Sequence, residues 1–227
     1  MKKVIITGAT GMIGKGVLME CLDHVAIGEV LVIGRNPVGI EHPKLKELIH
    51  KDFTDFSPVQ VGLSGYDACF FCLGISAVGL KEEEYKKITY HYTLSLARTL
   101  LTLNPRSTFI YISGEGTDST EKGRAMWARV KGKTENDLLV LGFSQAFMFR
   151  PGMIIPLRGI KSRTKLYRFM YDYFMWLVKL IKALSPDSVV TTTQIGLAMI
   201  NGMLGGYEKK ILRPKDIILL AGKKVDG

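Results

Sequence analysis

Val4, Ile5, Ile6 and Thr7 run directly into Gly8-Ala-Thr-Gly11-Met-Ile-Gly14, and a helical pattern follows near residues 12–23. Glycines at this spacing, set between a first strand and a first helix, leave few folds open. Gly8 permits a tight turn, Gly11 lets backbone approach a bound pyrophosphate, and Gly14 lets the helix lie against the strand. The helix N-terminus then offers N–H groups and partial positive charge to an anion. A glycine triplet alone is a weak signal, but at the first strand–helix turn of an α/β chain it is a strong one.

The remaining pattern agrees with such a chain. Strand-like apolar runs occupy 29–34, 45–53, 66–74, 107–113 and 144–152, the last of the series. Helical periodicity separates them at 82–103, ending at Asn104-Pro105, and near 121–141. Strands apolar on both sides and alternating with helices predict a parallel sheet covered on both faces. The fold class is therefore α/β: a doubly wound parallel (Rossmann) sheet with helices on both faces. After Pro151 the character changes. Residues 164–184 form a wide apolar helical surface, dense in aromatic residues, with Lys165, Arg168, Asp172, Lys179 and Lys182 in a narrow stripe. A second helix is expected at 193–204. The organisation expected is a nucleotide-binding part, 1–152, with a small C-terminal helical lobe, 153–227, packed on it over the carboxyl edge of the sheet. The 164–184 surface reads as a packing face against the core or a second copy of the chain; a membrane-surface helix is the other reading.

Composition excludes several classes. The net charge of +10 comes from basic residues scattered over the chain without a nucleic-acid motif, so a surface for anionic small molecules, or simply a solubilising one, is expected rather than a nucleic-acid partner. Cys69 and Cys72 form a C-x-x-C string inside a strand, where a spacing of three points the thiols to opposite faces. With Cys21 they read as small buried hydrophobes in a reducing compartment. His24, His42, His50 and His91 lack ligand spacing, so no metal is expected. The N-terminus enters a strand at once and no run reaches membrane-span length, which together predict a cytoplasmic protein.

Cofactor selectivity is read at the end of the second strand. An NAD-selective site carries Asp or Glu about 20 residues beyond the glycines. Here Gly34-Arg35 stands instead, and a guanidinium suits a 2′-phosphate, so NADP(H) is favoured over NAD(H).

Together TGATGMIG, HKDF after the third strand, CLG after the fourth, YISGEG, WARVK and FRPG make the chain resemble the short-chain dehydrogenase/reductase superfamily over most of residues 1–155. The resemblance is to its extended and atypical branches, which include epimerase/dehydratase-like and TIP30-like proteins. It implies that Gly8, Thr10, Gly11, Met12, Ile13 and Gly14 line the pyrophosphate, and that Asp52 and Phe53 meet the adenine. Leu73 and Gly74 pass the ribose, and Pro151, Gly152, Met153 and Ile154 lie beside the nicotinamide. Family enzymes use Ser, Tyr and Lys. Lys131 matches the Lys, which binds the nicotinamide ribose. Trp127 occupies the Tyr position, and an indole is a donor only. Ser113 matches the first of two serines and Gly114 the second, normally catalytic one; a register shift of one would let Ser113 serve.

Loss of a general acid costs about 10²–10⁴ in rate. Three functions stay open. In the first, an oxidoreductase- or epimerase-like enzyme uses another group, Lys131 before Ser113, Ser119, Tyr111 or His91. In the second, the protein is a non-catalytic cofactor sensor that acts through partners, as in NmrA-like members of the superfamily. In the third, it is a membrane-surface-associated member of the superfamily that uses the 164–184 helix. The loop at 114–124 should border the substrate pocket, where Lys122, Arg124 and Arg129 either hold an anionic substrate or face solvent.

Overall fold

The computed structural model describes residues 1–160 and 186–223. Runs rich in Val, Ile and Phe extend as β1 (Lys2–Thr7), β2 (Ile27–Gly34), β3 (Leu45–Ile49), β4 (Ala68–Phe71), β5 (Thr108–Ile112) and β6 (Gln145–Phe149). All pair in parallel, in the order β3-β2-β1-β4-β5-β6. Side chains alternate along each strand, so the two faces separate by parity. Val4, Ile6, Val32, Phe70, Ile110 and Phe147 share one face; Ile5, Ile33, Cys69, Phe71, Phe109 and Met148 share the other. Each such side chain, fully buried, contributes about 1.5–3 kcal/mol. Both faces are apolar, as the doubly wound pattern predicted.

The thiols follow the same parity. Cys69 joins one face and Cys72 packs against the other with Cys21. Burial pushes all three thiols above their ordinary pKa, as expected of inert hydrophobes.

Helix α1 (Met12–Asp23) covers the first face. On the second face α2 (Glu82–Lys86) continues through a wide π turn at 87–91 into α3 (Tyr92–Leu103). Beside α3 lies α4 (Met126–Val140). The helix expected from 121 starts only at 126, because Asp118 folds the preceding loop back: its carboxylate accepts from the N–H groups of Thr120 and Gly123. Glu121 completes that turn at a φ of 61°.

Three differences from expectation concern the C-terminal part. The strand at β6 is not the last. After β7 (Met153–Ile155) and β8 (Val189–Thr191), which pair with each other, a two-residue strand β9 (Ile211–Leu212) joins the open edge of β6 in parallel. Two apolar residues between Lys210 and Arg213 are too short to register as a strand in sequence. Second, α5 (Thr192–Gly205) lies on the sheet face, not over its carboxyl edge. It crosses α1 at glycines: a Cβ on Gly16 would stand 2.6 Å from Thr192 Cβ, and one on Gly196 2.7 Å from Glu20 Cγ. Third, α6 (Pro214–Ala221) packs on α5, so Ile195, Met199, Ile217 and Leu220 share one core with Val4, Phe70 and Phe147. The surface at 164–184 lies outside the described residues. No helix among the described residues is long and apolar enough to cross a membrane.

Candidate functional site

The expected cofactor and catalytic residues follow the carboxyl ends of β1 to β6 and so collect along one edge of the sheet. The order of strands reverses between β1 and β4, which opens a crevice at that edge, the place where α/β sheets take their ligands.

At the centre of the edge is the glycine turn. Gly8 has a φ of 68°, and a Cβ there would lie 2.5 Å from the Cys72 carbonyl oxygen. Gly11 N–H closes the turn on the Gly8 carbonyl at 2.8 Å. A Cβ on Gly14 would stand 2.3 Å from that same oxygen, so only glycine lets α1 rise this close to β1. The N-cap, Gly11, offers no side-chain acceptor, and the first turn of α1 carries no carboxylate. The first N–H groups of a helix need an acceptor from outside it. Thr10, Gly11, Met12 and Ile13 remain partly open at this end while Gly14 is buried. An uncapped helix end behind a cradle that any Cβ would fill fits a pyrophosphate.

On the side expected to take the adenine, Arg35 is exposed just past β2. The Thr54 hydroxyl and N–H hold the Asp52 carboxyl below its ordinary pKa. The Phe53 side chain belongs to the core, with its ring 5.5 Å from Phe56 and 5.8 Å from Tyr92, so it turns only backbone to the crevice. Leu73 is tied by its N–H to Thr7 Oγ1 at 3.3 Å, and Gly74 is open. Pro151 is buried and its carbonyl accepts from Glu115 N–H; Gly152 follows, and Met153 and Ile154 form part of β7.

The catalytic candidates meet around Ser113. The Lys131 ammonium donates to the Ser113 carbonyl. Burial of the part-open Lys131 lowers its pKa to about 8, against an opposing pull from Glu135. The Ser113 hydroxyl is engaged on the other side: it donates to Glu135 and reaches the Phe149 carbonyl at 3.1 Å. Glu135 is fully buried and pairs with Arg150, whose Nε lies 3.0 and 3.1 Å from its two oxygens. Arg150 also donates to Ser119 Oγ at 2.5 Å, which pins the loop. Trp127 stands one turn before Lys131, and its ring edge would be 3.2 Å from a Cβ on Gly116. Gly114 has a φ of 154° with nothing within 4 Å of a Cβ, so a serine there meets strain rather than crowding. Tyr111 is buried, which pushes its phenol well up, and His91 is exposed at the end of the π turn.

Of the basic residues expected near a substrate, Arg129 is committed to the carbonyls of Gly123 and Arg124 and to Glu82. Lys122 and Arg124 are exposed. Sequence reasoning missed Glu135 and Arg150. The available signal was a carboxylate four residues beyond Lys131 on the same helical face. It also missed the fold-back of the loop, which Gly132 permits: a Cβ there would lie 1.7 Å from the Asp118 carbonyl oxygen. Among the described residues no group of three His, Cys, Asp or Glu is placed to hold a metal ion.

Known proteins with related sequences and folds agree with this architecture. The chain is 27% identical to Protein HTATIP2 of Rattus norvegicus, covering 100% of the chain and 91% of that protein. It is also 27% identical to Protein fmp52, mitochondrial, of Aspergillus clavatus, over 68% of the chain and 67% of that protein. In fold it is similar to the Bordetella bronchiseptica enzyme WbmF in complex with NAD+, with a TM-score of 0.69 at 12% identity over 99% of the chain and 80% of that structure. A uronate dehydrogenase from Agrobacterium tumefaciens aligns with a TM-score of 0.65 at 14% identity, over 94% of the chain and 76% of that structure. Residues 4–121, more than half of the chain, match one family description, and the chain belongs to the NAD dependent epimerase/dehydratase family.

Proposed function

We propose that this chain binds a nicotinamide dinucleotide, NADP(H) in preference to NAD(H), and performs oxidoreductase- or epimerase-like chemistry with Lys131 as its acid–base group. The observation that carries the reading is the convergence of the uncapped α1 N-terminus and the Lys131 ammonium on one edge of the sheet. Gly8, Thr10, Gly11, Met12, Ile13 and Gly14 hold the pyrophosphate, Asp52 and the Phe53 backbone the adenine, and Leu73 and Gly74 the ribose. Lys131 holds the nicotinamide ribose, and Pro151, Gly152, Met153 and Ile154 flank the nicotinamide. When bound, the cofactor gives or takes a hydride. Trp127 moves no proton, and the Ser113 hydroxyl is occupied by Glu135. Lys131, with a pKa of about 8, exchanges ammonium for amine near neutral pH, as an acid–base group requires. Arg35 faces the 2′-phosphate. The exposed Lys122 and Arg124 favour an anionic substrate.

Turnover of NADPH with a panel of carbonyl compounds and nucleotide sugars tests the reading; Lys131→Ala should abolish it. Dissociation constants test the selectivity. NADH binding as tightly as NADPH would sink the preference, and Arg35→Asp should reverse it. A second reading, a cofactor-dependent regulator, is favoured by one observation: neither Trp127 nor the engaged Ser113 offers a free hydroxyl. It requires tight NADPH binding, no turnover across the panel, and a protein partner whose affinity changes with cofactor. A cytoplasmic location is part of the proposal. The fungal relative is named mitochondrial, so fractionation of tagged protein decides between the two compartments.

A further inference from the structure

Ser113 is used twice, and the two uses join groups on opposite sides of it. Its carbonyl takes the Lys131 ammonium, and its hydroxyl donates to Glu135. Lys131 and Glu135 are one turn apart on α4, so a single residue of the β5 end spans both. Glu135 cannot drift, because Arg150 holds both of its oxygens and the buried pair is closed to solvent.

We propose that Glu135 is a positioning residue for Lys131: braced by Arg150, its carboxylate fixes Ser113 so that the Ser113 carbonyl seats the ammonium, and it sets a negative charge one turn away. This rests on the reading of Lys131 as the residue that meets bound cofactor. The neighbouring titratable groups do not substitute for it. Tyr111 on β5 and Tyr85 on α2 are phenols that burial pushes up, so both stay neutral where Lys131 titrates. Arg150, just past β6, contacts Glu135, and Tyr90 and Lys133 are engaged with Asp137 farther along α4. The sign follows from charge: a carboxylate beside an ammonium favours its protonated form, and removing it leaves desolvation unopposed.

The test is competitive labelling of Lys131 with trace acetic anhydride across pH 6–11, read by mass spectrometry, which needs no cofactor. Wild-type protein should show a midpoint near 8. Glu135→Gln keeps the size and the acceptor for Ser113 but removes the charge, and its midpoint should fall by about one unit. The pair Glu135→Gln with Arg150→Met leaves no uncompensated buried charge and replaces the single variant should that not fold, with a smaller fall in midpoint expected because the opposing Arg150 charge goes too. An unchanged midpoint in a folded variant overturns the proposal. A second arm measures the NADPH dissociation constant against pH. If affinity follows the fraction of charged Lys131, Glu135→Gln should weaken binding about five-fold at pH 8 while matching wild type at pH 6. A shifted labelling midpoint with an unshifted binding profile would uphold the hold of Glu135 on Lys131 and overturn instead the cofactor role given to Lys131.

Discussion

Replacing Gly132 with alanine separates two opposed effects. In the middle of α4, alanine is the better helix former by about 1 kcal/mol. Against this, its Cβ would lie 1.7 Å from the Asp118 carbonyl oxygen. Ordinary contact between non-bonded atoms needs about 3.5 Å, so the loop must retreat by roughly 2 Å. A retreat of that size breaks the bond from Asp118 N–H to the Ala128 carbonyl at 3.1 Å. It also strains the bonds from Asn136 to the Ser119 carbonyl at 3.0 Å and from Arg150 to Ser119 Oγ at 2.5 Å. At about 1 kcal/mol for each bond, set against the helix gain, the net loss is about 2 kcal/mol. In a chain of this length that lowers Tm by roughly 4–8 °C. Urea unfolding followed by circular dichroism measures it, and Trp127 emission should change in the native baseline, since the same loop carries Gly116 against the indole. Gly62→Ala is the control, because a Cβ there meets nothing within 4 Å. A Gly132→Ala protein as stable as wild type would refute the claim that the loop is strapped to the helix.

Three further outcomes are expected. Arg150→Met leaves Glu135 buried without its partner and should cost about 3–5 kcal/mol, most of it recovered when Glu135→Gln is added; urea midpoints of the two variants read the difference. NADPH should quench tryptophan emission, and Trp127→Phe should remove most of the quenching; undiminished quenching would put residue 127 away from the nicotinamide. Supplying hydroxyls at these two positions, with Trp127→Tyr and Gly114→Ser, should be limited by the second change, since a φ of 154° at Gly114 costs a serine about 1–3 kcal/mol. Thermal melts of the single variants check this, with the larger drop expected in Gly114→Ser.

Much of the fold was legible because the information is local. The parity of Val4 to Thr7 and of Cys69 to Cys72 states which face each side chain takes, and TGATGMIG states how α1 leaves β1. What escaped depends on contacts between distant segments. Ile211 and Leu212 become a strand only because β6 has an open edge beside them. Gly16 and Gly196 look like weak points of two helices until each is set against the other helix. At the site, the glycine turn and Lys131 could be read from spacing. Spacing also puts Glu135 on the Lys131 face, but does not reveal its burial or its pairing, which depend on Arg150, fifteen residues away and just past β6. Ser113 shows the same limit: spacing says where it stands, and only the fold says which of its oxygens is taken.

The sharing of one core by β1 and α5 has a consequence for how the chain is made. Val4, Ile6, Phe70 and Phe147 are synthesised before Ile195, Met199, Ile217 and Leu220, which lie in the same cluster. During translation the part of that face which α5 and α6 cover, beside α1, therefore stays open until those two helices emerge. Chains stalled or cleaved before residue 192 should be ready clients for holding chaperones. Expression yield should respond to chaperone supply more sharply than the stability of the finished protein suggests.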